Sequence, residues 1–184
     1  MTAVLDLPDA AAWESWLDKH AGERTEAWLR IAKRHSGLAT ITIADALDVA
    51  LCFGWIDGQR KSLDDVSFLQ RYCPRRPHST WSQVNVAKVE ALTAAGRMRP
   101  AGFAEVAAAQ ADGRWAAAYA PQRTATVPPD LAAALADNAP AAAAFAGLNR
   151  TERYAVLLQL AKARTPRSRA AVLTRVLATL AAGT

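Results

Sequence analysis

The stretch that decides the fold is FGWIDGQRKSLDDVSFLQRYCP, Phe53 to Pro74. Two runs, Trp55–Leu63 and Val66–Cys73, flank Asp64-Asp65. The pattern predicts an antiparallel β-hairpin closed by that dipeptide, a weaker turn signal than Asp-Gly. With a two-residue turn, Leu63 faces Val66, Gln59 faces Gln70 and Asp57 faces Tyr72. Side chains alternate along a strand, so one pleat face carries Asp57, Gln59, Lys61, Phe68, Gln70 and Tyr72. The other carries Ile56, Gly58, Arg60, Leu69, Arg71 and Cys73. Pro74 and Pro77 end the strand region, with basic Arg75-Arg76 between them.

Upstream, Glu26–Lys33 alternates, with Leu29 and Ile31 opposite Trp28 and Arg30, so a strand is predicted there. Before it, Trp13, Trp16, Leu17 and His20 recur at helical spacing after Pro8, with Gly22 as a stop. Thr42 and Asp45 mark a helix start; Leu47, Ala50 and Leu51 follow, and Gly54 ends it. Downstream, Ser79 or Thr80 caps a helix whose stripe holds Trp81, Val84, Asn85, Lys88, Val89 and Leu92. That stripe is expected to pack on the sheet. Pro100 opens another helix, with Phe103, Val106, Ala107 and Gln110 on one side. Gln122–Pro129 reads as a linker, and Leu131 and Leu135 mark a short helix broken before Pro140. Asn149 with Glu152, then Thr165-Pro166, open two helices that form an αα-hairpin. The fold class is therefore α+β: a small antiparallel sheet in the N-terminal half packed against helices, and an all-helical C-terminal half. An α+β core over 1–121 and a helical region over 122–184 are expected to pack as one unit.

Composition narrows the function. The chain has 184 residues, 52% hydrophobic and 21% charged, which predicts a soluble globular protein rather than a disordered one. No run approaches the ~20 apolar residues of a membrane helix, so no membrane insertion is expected. Met1–Asp9 lacks the basic and apolar regions of a leader. Only Cys52 and Cys73 are present, which excludes a disulfide scaffold and makes the cytoplasm the default compartment. Three histidines without CxxC or HxxxH spacing suggest no metal and no cofactor. The net charge of +5 is uneven: Arg150–Arg175 holds seven basic residues and one acidic one, and Arg60–Arg76 adds a second patch. A solvated basic surface accounts for both more simply than nucleic-acid binding.

The densest chemistry lies between Phe53 and Asn85. Asp57 supplies a carboxylate beside Gly58, where backbone can approach closely. Arg71 and Arg75 supply guanidinium forks suited to carboxylate or phosphate. Trp55, Tyr72 and Trp81 supply flat apolar walls with a polar edge, and Asn85 adds an amide one turn after Trp81. Such a mix fits a small-molecule or peptide pocket. A structural reading stands beside it: Asp57 locks the sheet by pairing with Arg71 or Arg60, Trp81 plugs the core, and Asn85 bonds a loop carbonyl. No Ser-His-Asp order is present, and His78 sits in a loop between Pro77 and Ser79.

The chain resembles the YdeI/OmpD-associated, or bacteriocin-protection, family. The resemblance is carried by Trp28-Leu29, Lys33, Ser36-Gly37, Asp45-Ala46-Leu47-Asp48, and above all Leu51-Cys52-Phe53-Gly54-Trp55-Ile56-Asp57-Gly58. It continues through Gln70-Arg71, Pro74-Arg75, Trp81-Ser82 with Asn85, Gly96-Arg97-Met98, Asp112-Gly113-Arg114-Trp115 and the helices from Arg153 to Leu180. The resemblance implies tolerance of bacteriocins or cationic antimicrobial peptides and association with an outer-membrane porin. It brings no active site to transfer. The leading expectation is thus a protection protein that binds a small molecule or peptide. An enzyme with Asp57 as general acid or base, aided by Arg71, comes second. Nucleic-acid binding through Arg164, Arg167, Arg169 and Arg175 comes third.

Overall fold

The computed structural model describes residues 4–183; the leader reading of Met1–Asp9 begins on residues outside that range. In chain order the elements are β1 (Val4–Leu5), α1 (Ala10–His20), β2 (Ala27–Ala32), α2 (Ile43–Cys52), β3 (Trp55–Ser62) and β4 (Ser67–Pro74). Then come α3 (Gln83–Ala94), α4 (Pro100–Ala111), α5 (Pro129–Ala136), α6 (Ala139–Gly147), α7 (Arg150–Lys162) and α8 (Pro166–Ala181). The fold is α+β. It divides into two compact units, residues 1–81 with 85–117, and residues 82–84 with 118–184.

In the first unit the sheet order is β1-β2-β4-β3. The β2, β4 and β3 ladders are antiparallel, as the alternation predicts. β1 adds a parallel edge of two residues, too short to leave a periodic signal in sequence. Asp57 faces Tyr72 as expected, but a bulge follows, and Arg60 rather than Gln59 faces Gln70. The extra residue turns Arg60 to the opposite pleat face from the one expected. Its Nε donates to Gln70 at 3.3 Å and its guanidinium lies 4.4 Å from the Phe68 ring. Lys61 crosses the other way, its ammonium 4.4 Å from the Trp28 ring. Gln70 is buried, and its amide donates to the Gly58 and Gln59 carbonyls at 3.1 and 3.4 Å, so the bulge has its own hydrogen bonds.

The turn is also longer than two residues. The Asp64 carboxylate accepts from the backbone N–H groups of Val66 and Ser67 and from the Ser67 hydroxyl. Those bonds, with Arg30 nearby, hold the Asp64 carboxyl below its usual range. This Asx geometry explains why Asp works here without glycine.

α1 buries Trp13 and Leu17 completely, and the Trp13 indole N–H donates to the Ala46 carbonyl of α2. Thr42 caps α2 by accepting from Asp45 N–H. Two glycines let α4 reach the end of α2. Gly54 has φ +74°, and a Cβ there would lie 3.0 Å from the Ala101 carbonyl oxygen. A Cβ on Gly102 would run into the Cys52 carbonyl oxygen. The Cys52 thiol is buried beneath, and burial pushes its pKa up, consistent with a small core hydrophobe.

The helix after the hairpin starts at Gln83, later than its expected Ser79 or Thr80 cap. The carbonyls of Ser79 and Thr80 are taken by the guanidiniums of Arg114 and Arg75, which keeps this segment out of a helical turn. Trp81 therefore precedes the helix instead of sharing its stripe, and Val84 is 46% exposed.

The second unit is helical around Leu131, Phe145, Leu157, Leu160, Val176 and Leu180. Asn149 with Glu152 forms the expected capping box on α7, and Thr165 caps α8 ahead of Pro166. Pro140, read as a break, sits in the first turn of α6 behind the Asn138 cap, where its missing N–H has no intrahelical partner to lose.

Candidate functional site

Trp55 and Tyr72 were expected to wall a pocket, but both lie in the core, 2% and 0% exposed. They pack with the Trp13 indole, ring centroids 6.2 and 5.8 Å away. The Tyr72 hydroxyl has no hydrogen-bond partner among the described residues. Burial, with the Asp57 charge adding to it, raises its pKa. Asp57 itself stands on an exposed stretch of β3. Arg71 bonds Glu26 at 2.6 Å, and its guanidinium crosses Gly58, Nη1 lying 3.4 Å from the position of a Cβ there. That ion pair raises the Arg71 pKa. Asp57 and Arg71 leave opposite faces of the sheet, so the structure gives them separate surroundings.

Arg75 and Trp81 do come together. Both are buried, with the Arg75 guanidinium 3.5 Å above the Trp81 ring, a cation–π stack shielded from water. Arg75 Nη1 also donates to the Thr80 carbonyl. Trp81 in turn packs on Trp115 at 4.8 Å. Asn85 is half-buried on α3, one turn before Val89.

The Arg75–Trp81–Trp115 stack leads to a cleft between α3 and α4 of about 610 Å³. Val89, Phe103, Val106 and Trp115 supply its apolar wall, and Glu90, Thr93 and Gln110 its polar groups. Glu90 is the one ionisable residue lining it. Phe103 is 48% exposed. The floor is fixed from behind: Trp115 N–H donates to the Ala109 carbonyl, and neighbouring Arg114, 4% exposed, bonds both Asp112 carboxylate oxygens and the Ser79 carbonyl. The periodicity places Phe103, Val106, Ala107 and Gln110 on one side of α4, as found, but assigns that side no role. His78, exposed in its loop, lies 3.7 Å from Asp112.

Charge is sharply divided between the units. Residues 1–117 hold fourteen Lys and Arg against fourteen Asp and Glu; residues 118–184 hold eight against three. The whole net charge of +5 thus belongs to the C-terminal segment. Among the described residues no group of three His, Cys, Asp or Glu is placed to hold a metal ion, and no helix is long and apolar enough to cross a membrane.

These features define an α+β protein of two compact units, the first with an apolar cleft between α3 and α4. Residues 5–105 match the family model described as a domain of unknown function, DUF8412, and residues 124–183 match OmdA, described as bacteriocin-protection, YdeI or OmpD-associated. The chain belongs to the first of these families, and its C-terminal helices match the OmdA model, in keeping with the resemblance read from the sequence. No curated protein and no solved structure matches it.

Proposed function

We propose that the protein protects by binding rather than by turnover, holding a cationic amphipathic peptide in the α3–α4 cleft. The observation that carries this reading is the cleft itself, about 610 Å³ and apolar, with half-exposed Phe103 opposite Trp115 and Glu90 as its charged lining group. An amphipathic helix or apolar peptide segment enters such a groove with a few large side chains, and the lone carboxylate favours a basic flank. Because Trp115 is braced by Trp81 and buried Arg75, the floor is ordered before the ligand arrives, which lowers the ordering cost of binding. The OmdA match supports a role in protection against bacteriocins. The two free, buried cysteines suit a reducing cytoplasm. The enzyme reading draws less support, because Asp57 is exposed and Arg71 is engaged by Glu26.

The test is titration of the full chain with a fluorescently labelled Lys/Leu amphipathic 14-mer. Phe103→Ala should weaken binding about tenfold, the usual scale for losing an aromatic anchor. Glu90→Lys should mainly slow association and change its salt dependence. Neither position is buried, so both variants should fold normally. Absence of saturable binding to the wild type, or unchanged affinity in Phe103→Ala, would refute the proposal.

A further inference from the structure

The helical second unit contains a separate cavity of about 180 Å³ that the peptide-binding reading does not use. Tyr119, Pro128, Tyr154, Leu157, Leu158 and Ala161 line it with apolar surface, and Arg169 lines it with charge. An apolar cavity of about 150 Å³ is known to admit a single benzene ring, so the volume fits one ring-sized hydrocarbon.

The walls are set in place by bonds unrelated to any ligand. The Tyr154 hydroxyl donates to the Ala120 carbonyl at 3.0 Å, which fixes its ring, and burial pushes the phenol pKa up. Arg169 gives Nε and Nη2 to Asp130 at 2.6 and 2.9 Å and Nη1 to the Leu160 carbonyl at 3.0 Å. These bonds hold the Asp130 carboxyl below its usual range and the Arg169 guanidinium above its own. Asp130 is thereby matched, one acid to one base.

The surplus charge near the cavity is positive. Lys162 follows Ala161 directly, and its ammonium lies 5.6 Å from the centroid of the Tyr119 ring that forms part of the wall. No acidic residue lines the cavity. Of the three acids on this segment, Asp130 is taken by Arg169, the Glu152 carboxylate accepts from Asn149 N–H in the α7 capping box, and Asp137, at the C-cap of α5, does not line the cavity.

We propose that this cavity binds a small organic acid, an aromatic or similarly compact hydrocarbon tail bearing a carboxylate. The tail fills the chamber between Tyr119, Tyr154 and Leu157, and the carboxylate sits at the mouth towards Lys162, with Arg169 alongside. Apolar burial supplies most of the affinity and Lys162 supplies the preference for an anion, since the Arg169 charge is matched by Asp130. The preference weakens as salt rises, because Lys162 is exposed.

Calorimetric titration of the full chain with 3-phenylpropionate and with its neutral counterpart 3-phenylpropanamide tests this. The acid should saturate one site at millimolar concentration or below and bind at least tenfold more tightly than the amide. Lys162→Gln should reduce acid binding to the level of the amide and leave the amide unchanged. Ala161→Phe, at an exposed helical position, should plug the chamber and abolish both. Its melting temperature shows whether it folds; if it does not, the Lys162→Gln comparison decides alone. Failure of the acid to saturate, equal affinity for acid and amide, or unchanged acid binding in Lys162→Gln would overturn the proposal.

Discussion

Replacing Gly102 by alanine pits two effects of known sign against each other. Gly102 lies inside α4, where alanine is intrinsically better than glycine by about 1 kcal/mol. The added methyl, however, meets the Cys52 carbonyl oxygen and the Met98 methyl at 2.8 Å. Met98 is flexible and can move aside. The Cys52 oxygen is backbone at the end of α2, and it accepts from Arg99 N–H at 3.0 Å, so it yields only if α4 shifts away from α2. Overpacking of this kind costs roughly 1–3 kcal/mol, with backbone obstruction at the upper end. The net expectation is a loss of about 1–2 kcal/mol, or several degrees in Tm at ~2–4 °C per kcal/mol for a chain of this size. Gly147→Ala is the control, since nothing lies within 4 Å of its added methyl. That variant should be neutral or stabilised. Thermal and urea unfolding of both variants, followed by circular dichroism, give the comparison. If Gly102→Ala is as stable as wild type, the close α2–α4 approach does not constrain this fold and the argument for the glycine fails.

Tyr72→Phe removes a buried hydroxyl that has no partner among the described residues, so it should raise stability by about 1 kcal/mol in urea unfolding; a loss would show that the hydroxyl does something useful. Asp57→Asn, on an exposed strand segment, should leave stability within ~0.5 kcal/mol and the binding of the labelled peptide unchanged, whereas loss of peptide binding would return Asp57 to the site. Asp130 has a lowered pKa in the folded chain, so its bond to Arg169 contributes stability above its unfolded pKa, near 3.8. That contribution should disappear as pH falls from there through the folded value, and Asp130→Asn should flatten the acid limb of a pH–stability curve; with both side chains about a third exposed the effect is ~1 kcal/mol or less. An unaltered acid limb in that variant would contradict the assignment.

Much of the fold was legible because its signals are local. Thr42, Asn149 with Glu152, and Thr165 before Pro166 each place a helix start through bonds spanning three residues, and each stands where the sequence puts it. The alternation in Glu26–Lys33 and Trp55–Cys73 likewise identified the strands and paired Asp57 with Tyr72. The sequence by itself therefore determined the α+β class, the hairpin and most helix boundaries. Only the tertiary structure decided what the chemically promising residues do, because their partners lie far away in the chain. Glu26 takes Arg71 across 45 positions, and Arg114 takes the Ser79 carbonyl across 35, which moves Trp81 out of its expected helix. The bulge that sends Arg60 to the other face depends on the Gln70 amide reaching across the ladder. The cleft, too, exists only because two apolar helix faces meet without covering each other, and residue periodicity shows that a face seeks burial but not whether another surface arrives to bury it.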